Sequence, residues 1–151
     1  MNKQKIVSFD VDGTLIKYTF NKTRNHIFAG QEPNHEIINI LKNHVAGGDK
    51  VIIVTSRNKF DDESTDEETS VFISVKDFCK KYDIVVDSIN YTNGHLKAEM
   101  LKNLNVDLHY DDNDEEIYWA REAGILAIHI TDDKNGFNDA KALQKEYFDN
   151  V

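Results

Sequence analysis

The chain has 151 residues, of which 40% are apolar and 30% are charged, with seven glycines and one proline. This composition is typical of one globular domain, and it excludes collagen-like and low-complexity chains. A single cysteine, Cys79, excludes an internal disulfide framework and a cysteine-rich zinc site.

A formal net charge of −9 argues against an extended footprint on duplex nucleic acid or on an anionic membrane. No apolar run reaches the roughly 18 residues of a membrane-spanning helix. The first residues turn acidic too early for a secretory signal peptide, so we expect a cytoplasmic protein. We expect residues 1–151 to form a single domain, whose oligomeric state stays open.

Short apolar runs alternate with amphipathic stretches along the chain. The first half predicts a strand over residues 5–11, a helix over 34–45, a strand over 50–55 and a helix over 71–82. The second half predicts a strand over 84–89, a helix over 96–104, a strand over 106–110, a helix over 114–123, a strand over 125–130 and a closing helix over 138–149. This order predicts an α/β three-layer sandwich around a mostly parallel, Rossmann-like sheet.

Two connecting segments have an unusual composition. Residues 58–70 carry six acidic side chains against Lys59 alone. We interpret this stretch as a solvated, self-repelling loop, with a lid over the site as the alternative. Residues 16–28 interleave cationic and aromatic side chains, which fits either an ordinary β-hairpin flap or a surface that binds a phosphorylated nucleotide.

Ligands of parallel α/β sheets bind beyond the carboxyl ends of the strands, and four of these ends carry unusual residues. After the first strand, Asp10 and Asp12 precede Gly13. Two carboxylates this close repel each other unless a cation or a proton lies between them. Mg²⁺ prefers such oxygen ligands, whereas the alternative is a simple Asx-type turn.

The residues at the second and third of these positions are suited to binding an anion. Thr55, Ser56 and Arg57 end the second strand, where hydroxyl and guanidinium groups can bind a phosphoryl group. Ordinary strand-end capping is the alternative. Lys97, at the start of a short helix, can neutralise an anion, although a single lysine is also a common surface charge.

The fourth strand ends in Asp111 and Asp112. Helix capping accounts for Asn113 after them, but it leaves the adjacent carboxylates without a counter-charge. A divalent cation supplies one. In this order, the four strand ends contain the parts for metal-assisted phosphoryl transfer through an aspartyl-phosphate.

The segments FDVDGTL, IVTSR, GHLKAEM and HYDDNDEEI resemble, in order, the four motifs of the haloacid dehalogenase (HAD) superfamily of phosphohydrolases. The resemblance covers about residues 5–130. It implies that Asp10 is the nucleophile and a metal ligand, and that Asp12 is the general acid–base with its backbone carbonyl on the metal. Phosphatases of this family need the second aspartate, which dehalogenases lack.

The resemblance further implies that Thr55 and Lys97 bind the phosphoryl group. It assigns Asp112 as a direct ligand of Mg²⁺, with Asp111 beside it and Glu116 positioned to hold a metal-bound water. The gaps between the motifs leave no room for a separate cap domain. The site should therefore be open to solvent.

The length, the motif spacing and the stretch DDNDEEIYWAREAGI are similar to the 3′-phosphatase domain of polynucleotide kinase/phosphatase proteins and to small deoxyribonucleotidases. No GK[ST] phosphate-binding loop is present, so no kinase half is expected. We expect a magnesium-dependent phosphomonoester hydrolase whose substrates are nucleotides or phosphorylated nucleic-acid ends. The alternatives are a phosphatase of sugar phosphates or phosphoproteins, and a non-catalytic HAD-fold interaction module.

Overall fold

The computed structural model describes residues 4–21, 26–64 and 72–131. The predicted closing helix over 138–149 and residues 65–70 of the acidic segment lie outside this part of the chain. The described elements are, in chain order, β1 (Ile6–Phe9), β2 (Ile16–Asn21), β3 (His26–Pro33), α1 (His35–Ala46), β4 (Lys50–Thr55), α2 (Lys59–Glu63), α3 (Val75–Lys81), β5 (Ser88–Tyr91), α4 (Ala98–Asn103), β6 (Leu108–Asp111), α5 (Asp114–Glu122) and β7 (Leu126–His129).

Five strands form one sheet in the order β5-β4-β1-β6-β7, and every neighbouring pair is parallel. The inner strands β1, β4 and β6 are almost entirely buried, which explains the continuous apolar run of β4. On β4, Val51 and Ile53 face one core cluster, whereas Ile52 and Val54 face the other.

Helices cover both faces of the sheet. The first cluster includes Ile37 and Leu41 of α1 and Phe78 of α3. The second cluster includes Leu101 of α4 and Ile117 of α5. The predicted three-layer α/β sandwich is therefore confirmed.

A two-stranded antiparallel hairpin, β2–β3, separates β1 from α1. It agrees with the hairpin interpretation of residues 16–28. Asn34 fixes its base, because the backbone N–H of Asn34 donates to the carbonyl of Leu15 at 2.8 Å and its side chain donates to the carbonyl of Thr14 at 3.1 Å. Among the described residues, neither gap between the motifs contains a separate cap domain.

Two elements differ from the prediction for local reasons. The strand predicted over 84–89 begins only at Ser88, where its pairing with β4 starts. Ile84 is nevertheless buried in the first core, so the apolar run reflects burial rather than strand pairing. The helix predicted over 71–82 begins at Val75, because the hydroxyl of Ser74 caps it by accepting from the N–H of Asp77 at 3.1 Å.

The acidic segment also contains structure that its composition concealed. The side chain of Asn58 caps the short helix α2 by accepting from the N–H of Asp61 at 3.1 Å. Within the part of the chain described above, no helix combines the length and the apolar character needed to cross a membrane.

Candidate active site

Three carboxylates meet at the carboxyl edge of the sheet. Asp10 directly follows β1, and Asp111 and Asp112 lie at the end of the neighbouring strand β6. The backbone N–H of Asp10 donates to the carbonyl of Tyr110 at 2.9 Å, which locks the two strand ends together. One oxygen from each carboxylate lies within 4.8 Å of the other two.

Lys97 is the cation at the centre of this cluster. Its Nζ donates to Oδ1 of Asp10 at 2.6 Å and to Oδ2 of Asp111 at 2.7 Å, and its side chain is only 3% exposed. Its backbone N–H donates to Oε1 of Glu116 at 3.1 Å. Burial alone would lower the pKa of Lys97, but the carboxylates of Asp10 and Asp111 raise it above its ordinary value.

One ammonium group does not balance this much negative charge. Burial raises the pKa of Asp10, and the charge of Asp111 raises it further against the opposing effect of Lys97. Burial, together with the hydrogen bond and charge of Asp10, raises the pKa of Asp112 to about 8. The cluster is all oxygen and carries excess negative charge, so it fits a hard divalent cation such as Mg²⁺.

Gly13 allows Asp112 to approach the turn after β1. A Cβ added at this glycine would lie 1.9 Å from Oδ2 of Asp112, and the backbone φ of +87° is one that L side chains rarely adopt. The next residue, Thr14, donates its hydroxyl to Oδ2 of Asp10 at 3.0 Å. The DVDGT segment therefore supplies a close approach and a hydrogen-bond donor as well as carboxylates.

Three buried polar side chains, Asp111, His109 and Ser8, are linked in a row that the sequence did not predict. Nε2 of His109 lies 2.8 Å from Oδ2 of Asp111, and Nδ1 lies 2.6 Å from Oγ of Ser8. Burial would raise the pKa of Asp111, but the hydrogen bond from His109 and the charge of Lys97 hold it well below its usual range. The signal was present, because residues two apart on a strand share a face.

A second polar cluster joins Asp12 to the acidic segment. Nε and Nη2 of Arg57 donate to the two oxygens of Asp12 at 2.9 and 2.7 Å. Nη1 donates to Oδ1 of Asp62 at 2.7 Å. Asp62 is buried and paired, in contrast to the solvated loop predicted for this segment.

The site opens to solvent through a cleft of about 280 Å³. It is lined by, among others, Asp10, Asp12, Ser56, Lys97 and Asp112. Thr55 and Arg57 are absent from the described residues that line it. The hydroxyl of Thr55 is buried and accepts from the N–H of Arg57 at 3.2 Å.

No protein-family model matches the sequence, and no curated protein matches it significantly. Solved structures do resemble the fold. A chain of the Pnkp1/Rnl/Hen1 RNA repair complex is 23% identical with a TM-score of 0.61, and the match covers 84% of this chain but only 42% of that one. This chain thus spans less than half the length of that protein.

Two further structures match over nearly their whole length. The D,D-heptose 1,7-bisphosphate phosphatase from B. bronchiseptica, solved with magnesium and phosphate, is 13% identical with a TM-score of 0.61, and the match covers 98% of this chain and 100% of that one. The haloacid dehalogenase-like hydrolase SP0104 from Streptococcus pneumoniae is 15% identical with a TM-score of 0.56, over 96% and 98% of the two chains. Together with the sheet order, these similarities show that the chain has the haloacid dehalogenase-like fold.

Proposed function

We propose that the protein is a magnesium-dependent phosphomonoester hydrolase that works through an aspartyl-phosphate on Asp10. The observation that carries this proposal is the position of one nucleophile candidate, Asp10, beside a buried ammonium group and beside two further carboxylates. Asp10 lies 2.6 Å from the ammonium of Lys97 and within 4.8 Å of the carboxylate oxygens of Asp111 and Asp112, where a cation would bind.

In the first step, a carboxylate oxygen of Asp10 attacks phosphorus and the bond from phosphorus to the leaving oxygen breaks. Asp12 gives its proton to that oxygen. In the second step, Asp12 takes a proton from water as the water oxygen attacks the phosphorus of the aspartyl-phosphate. The bond between phosphorus and the Asp10 oxygen breaks, which releases orthophosphate and restores the Asp10 carboxylate and the protonated Asp12.

The remaining side chains stabilise charge on the transferring group. Lys97 orients Asp10 and provides a buried ammonium beside the phosphoryl oxygens. The hydroxyl of Ser56, which lines the cleft, is a further donor, and the resemblance adds the hydroxyl of Thr55, which is buried at the end of β4. Asp10, Asp111 and Asp112 would hold Mg²⁺, with the backbone carbonyl of Asp12 as the further ligand that the resemblance implies. The ion, when bound, offsets the repulsion between these carboxylates and an anionic substrate.

The open cleft and the lack of a cap domain in the described residues support substrates that extend beyond the site. We propose nucleotides or phosphorylated nucleic-acid ends, which the likeness to a chain of an RNA repair complex also favours. The net charge of −9 favours contacts with a terminus over contacts along a duplex. The likeness to a heptose bisphosphate phosphatase makes sugar phosphates the second candidate.

Hydrolysis of p-nitrophenyl phosphate, with Mg²⁺ and with EDTA, tests the reaction class. We expect magnesium-dependent turnover that Asp10→Asn reduces by on the order of 10³-fold or more. Asp114→Asn is the matched control, because this nearby carboxylate is 92% exposed. Equal turnover by wild type and Asp10→Asn would overturn the role of Asp10, whereas a wild type without any turnover would favour a non-catalytic interaction module.

A substrate panel then separates the candidates. It compares mononucleotides, 3′- and 5′-phosphorylated oligonucleotides, sugar phosphates and phosphopeptides at equal magnesium concentration. The highest kcat/KM on a nucleotide or an oligonucleotide end supports the first choice. The highest value on sugar phosphates or phosphopeptides would replace it.

A further inference from the structure

We propose that Arg57 is a positioning residue that fixes the carboxylate of Asp12 in the cleft, and that Arg57 does not bind the phosphoryl group itself. This inference rests on the proposed phosphatase function. It concerns how the proton-transferring group is kept in place, and it assigns to Arg57 a role different from the substrate contact that the sequence predicts.

The contact between the two side chains is bidentate. Nε of Arg57 donates to Oδ2 of Asp12 at 2.9 Å, and Nη2 donates to Oδ1 at 2.7 Å. Two parallel charge-assisted hydrogen bonds fix the plane of a carboxylate as well as its position. Asp12 needs such a restraint, since its side chain is 37% exposed in the turn that leads into the hairpin.

The other side of the guanidinium is anchored in the protein. Nη1 donates to Oδ1 of Asp62 at 2.7 Å and to the carbonyl of Ile73 at 2.6 Å. The side chain of Arg57 is only 12% exposed, and the ring of Phe72 lies 6.0 Å from its central carbon. Asp12 lines the cleft, whereas Arg57 does not appear among the described residues that line it. The two hydrogen bonds from Nη1 are therefore directed into the protein.

Asp62 is itself held by two further elements. The phenol of Tyr91, the last residue of β5, donates to Oδ2 of Asp62 at 2.7 Å. Burial and the Asp62 carboxylate raise the pKa of Tyr91, so the phenol keeps the proton that it donates. The N–H of Val75, at the start of α3, lies 3.3 Å from both carboxylate oxygens. The position of Arg57 against Asp12 is therefore fixed through Asp62 by contacts with β5, α2 and α3.

This arrangement has a distinct kinetic consequence. A proton-transferring group must lie within hydrogen-bond reach of the reacting oxygen, and a displacement of about 1 Å can cost about 10²-fold in rate. Loss of Arg57 should therefore lower kcat through Asp12. It should leave the affinity for a phosphate group unchanged, because no contact to that group is removed.

The test is a double-mutant cycle of Arg57→Gln and Asp12→Asn, with 2,4-dinitrophenyl phosphate as the substrate. This leaving group needs little protonation, which keeps the rate of nitrophenolate release measurable in Asp12→Asn. We expect Arg57→Gln to lower kcat on this substrate by about 10–100-fold, because every turnover still needs Asp12 to activate the attacking water. In the Asp12→Asn background the same change should alter nitrophenolate release by no more than about twofold, because the effects of coupled residues do not add.

The inhibition constant of inorganic phosphate gives the second measurement. A positioning role predicts values for Arg57→Gln within about twofold of wild type, whereas loss of a charged phosphate contact worth about 1.5–3 kcal/mol would raise the constant by roughly tenfold or more. Such a rise, or effects that multiply in the cycle, would overturn the inference. Arg121→Gln is the matched control, since this arginine is exposed and donates to the carbonyl of Ala127.

Arg57→Gln leaves the buried Asp62 without its cation, so a second variant protects the test against unfolding. Arg57→Gln/Asp62→Asn removes both charges and should show the same kinetic defect if it melts like wild type. A wild-type chain without magnesium-dependent turnover would refute the proposed function and this inference with it. An active wild type whose Arg57 and Asp12 effects multiply would refute the inference alone.

Discussion

The substitution Gly13→Ala should distinguish an effect on magnesium affinity from an effect on the stability of the fold. A Cβ at this position would lie 1.9 Å from Oδ2 of Asp112, whereas real Cβ contacts essentially never fall below 3.0 Å. The carboxylate of Asp112 must therefore move by more than 1 Å. The contacted atoms are the far end of a side chain and not backbone, so the movement itself costs little stability.

Two effects of different size follow from the structure. The left-handed backbone at Gly13, with φ of +87°, costs an alanine about 1–2 kcal/mol of stability. Displacement of Asp112 acts on the metal, because Mg²⁺ tolerates only small departures from its coordination distances. We expect magnesium affinity to fall by about 10–100-fold, as it does when metal ligands lose their support.

Gly124→Ala is the matched control. Gly124 has a φ of +82°, but nothing lies within 4 Å of the position of an added Cβ. Urea unfolding in EDTA should show a similar loss of stability in both variants, and calorimetric titration with Mg²⁺ should show weaker binding in Gly13→Ala alone. Equal magnesium affinity in the two variants would refute the assignment of Asp112 as a ligand.

Three further outcomes are expected. Burial lowers the pKa of His44 below its ordinary value of 6.5. Because the unfolded chain then binds a proton more readily than the folded chain, the free energy of unfolding should fall as the pH drops below 6.5. Urea unfolding should show this loss in wild type but not in His44→Asn. Burial raises the pKa of the Cys79 thiol to about 11, and a thiol reagent at about pH 8 should label the chain only after unfolding, so rapid labelling of native protein would contradict this. Lys97→Met leaves buried carboxylates uncompensated and should lower the free energy of unfolding in EDTA by about 3–5 kcal/mol, a result that an unchanged urea midpoint would exclude.

The elements that carry local patterns were predicted correctly from the sequence. The β-branched run that forms β4 and the acidic turn that starts α5 after Asn113 both depend on residues close together in the chain. The positions of Asp10 and Asp112 follow from the same logic, because parallel strands bring their carboxyl ends to one edge. What each of these residues does in catalysis stays a prediction.

The contacts that were missed join residues far apart in sequence. Arg57 and Asp12 are 45 positions apart, and Ser8 and His109 are 101 positions apart. Composition predicted a solvated acidic loop around Asp62, because a run of like charges normally repels itself. The pairing of that one carboxylate with a buried guanidinium depends on how α2 docks, which no local pattern reveals.

The alternation of side chains on β6 ties the candidate site to the core. Leu108 and Tyr110 are buried in the first cluster, whereas His109 and Asp111 face the opposite side, where Asp111 contacts both Lys97 and His109. A slip of one residue would move the apolar pair out of its core and bury the polar pair in its place. Full burial of each large apolar side chain contributes about 1.5–3 kcal/mol, so the register that fills the core also holds Asp111 against the ammonium group. The precision of the site therefore comes from a sheet whose register the core already requires.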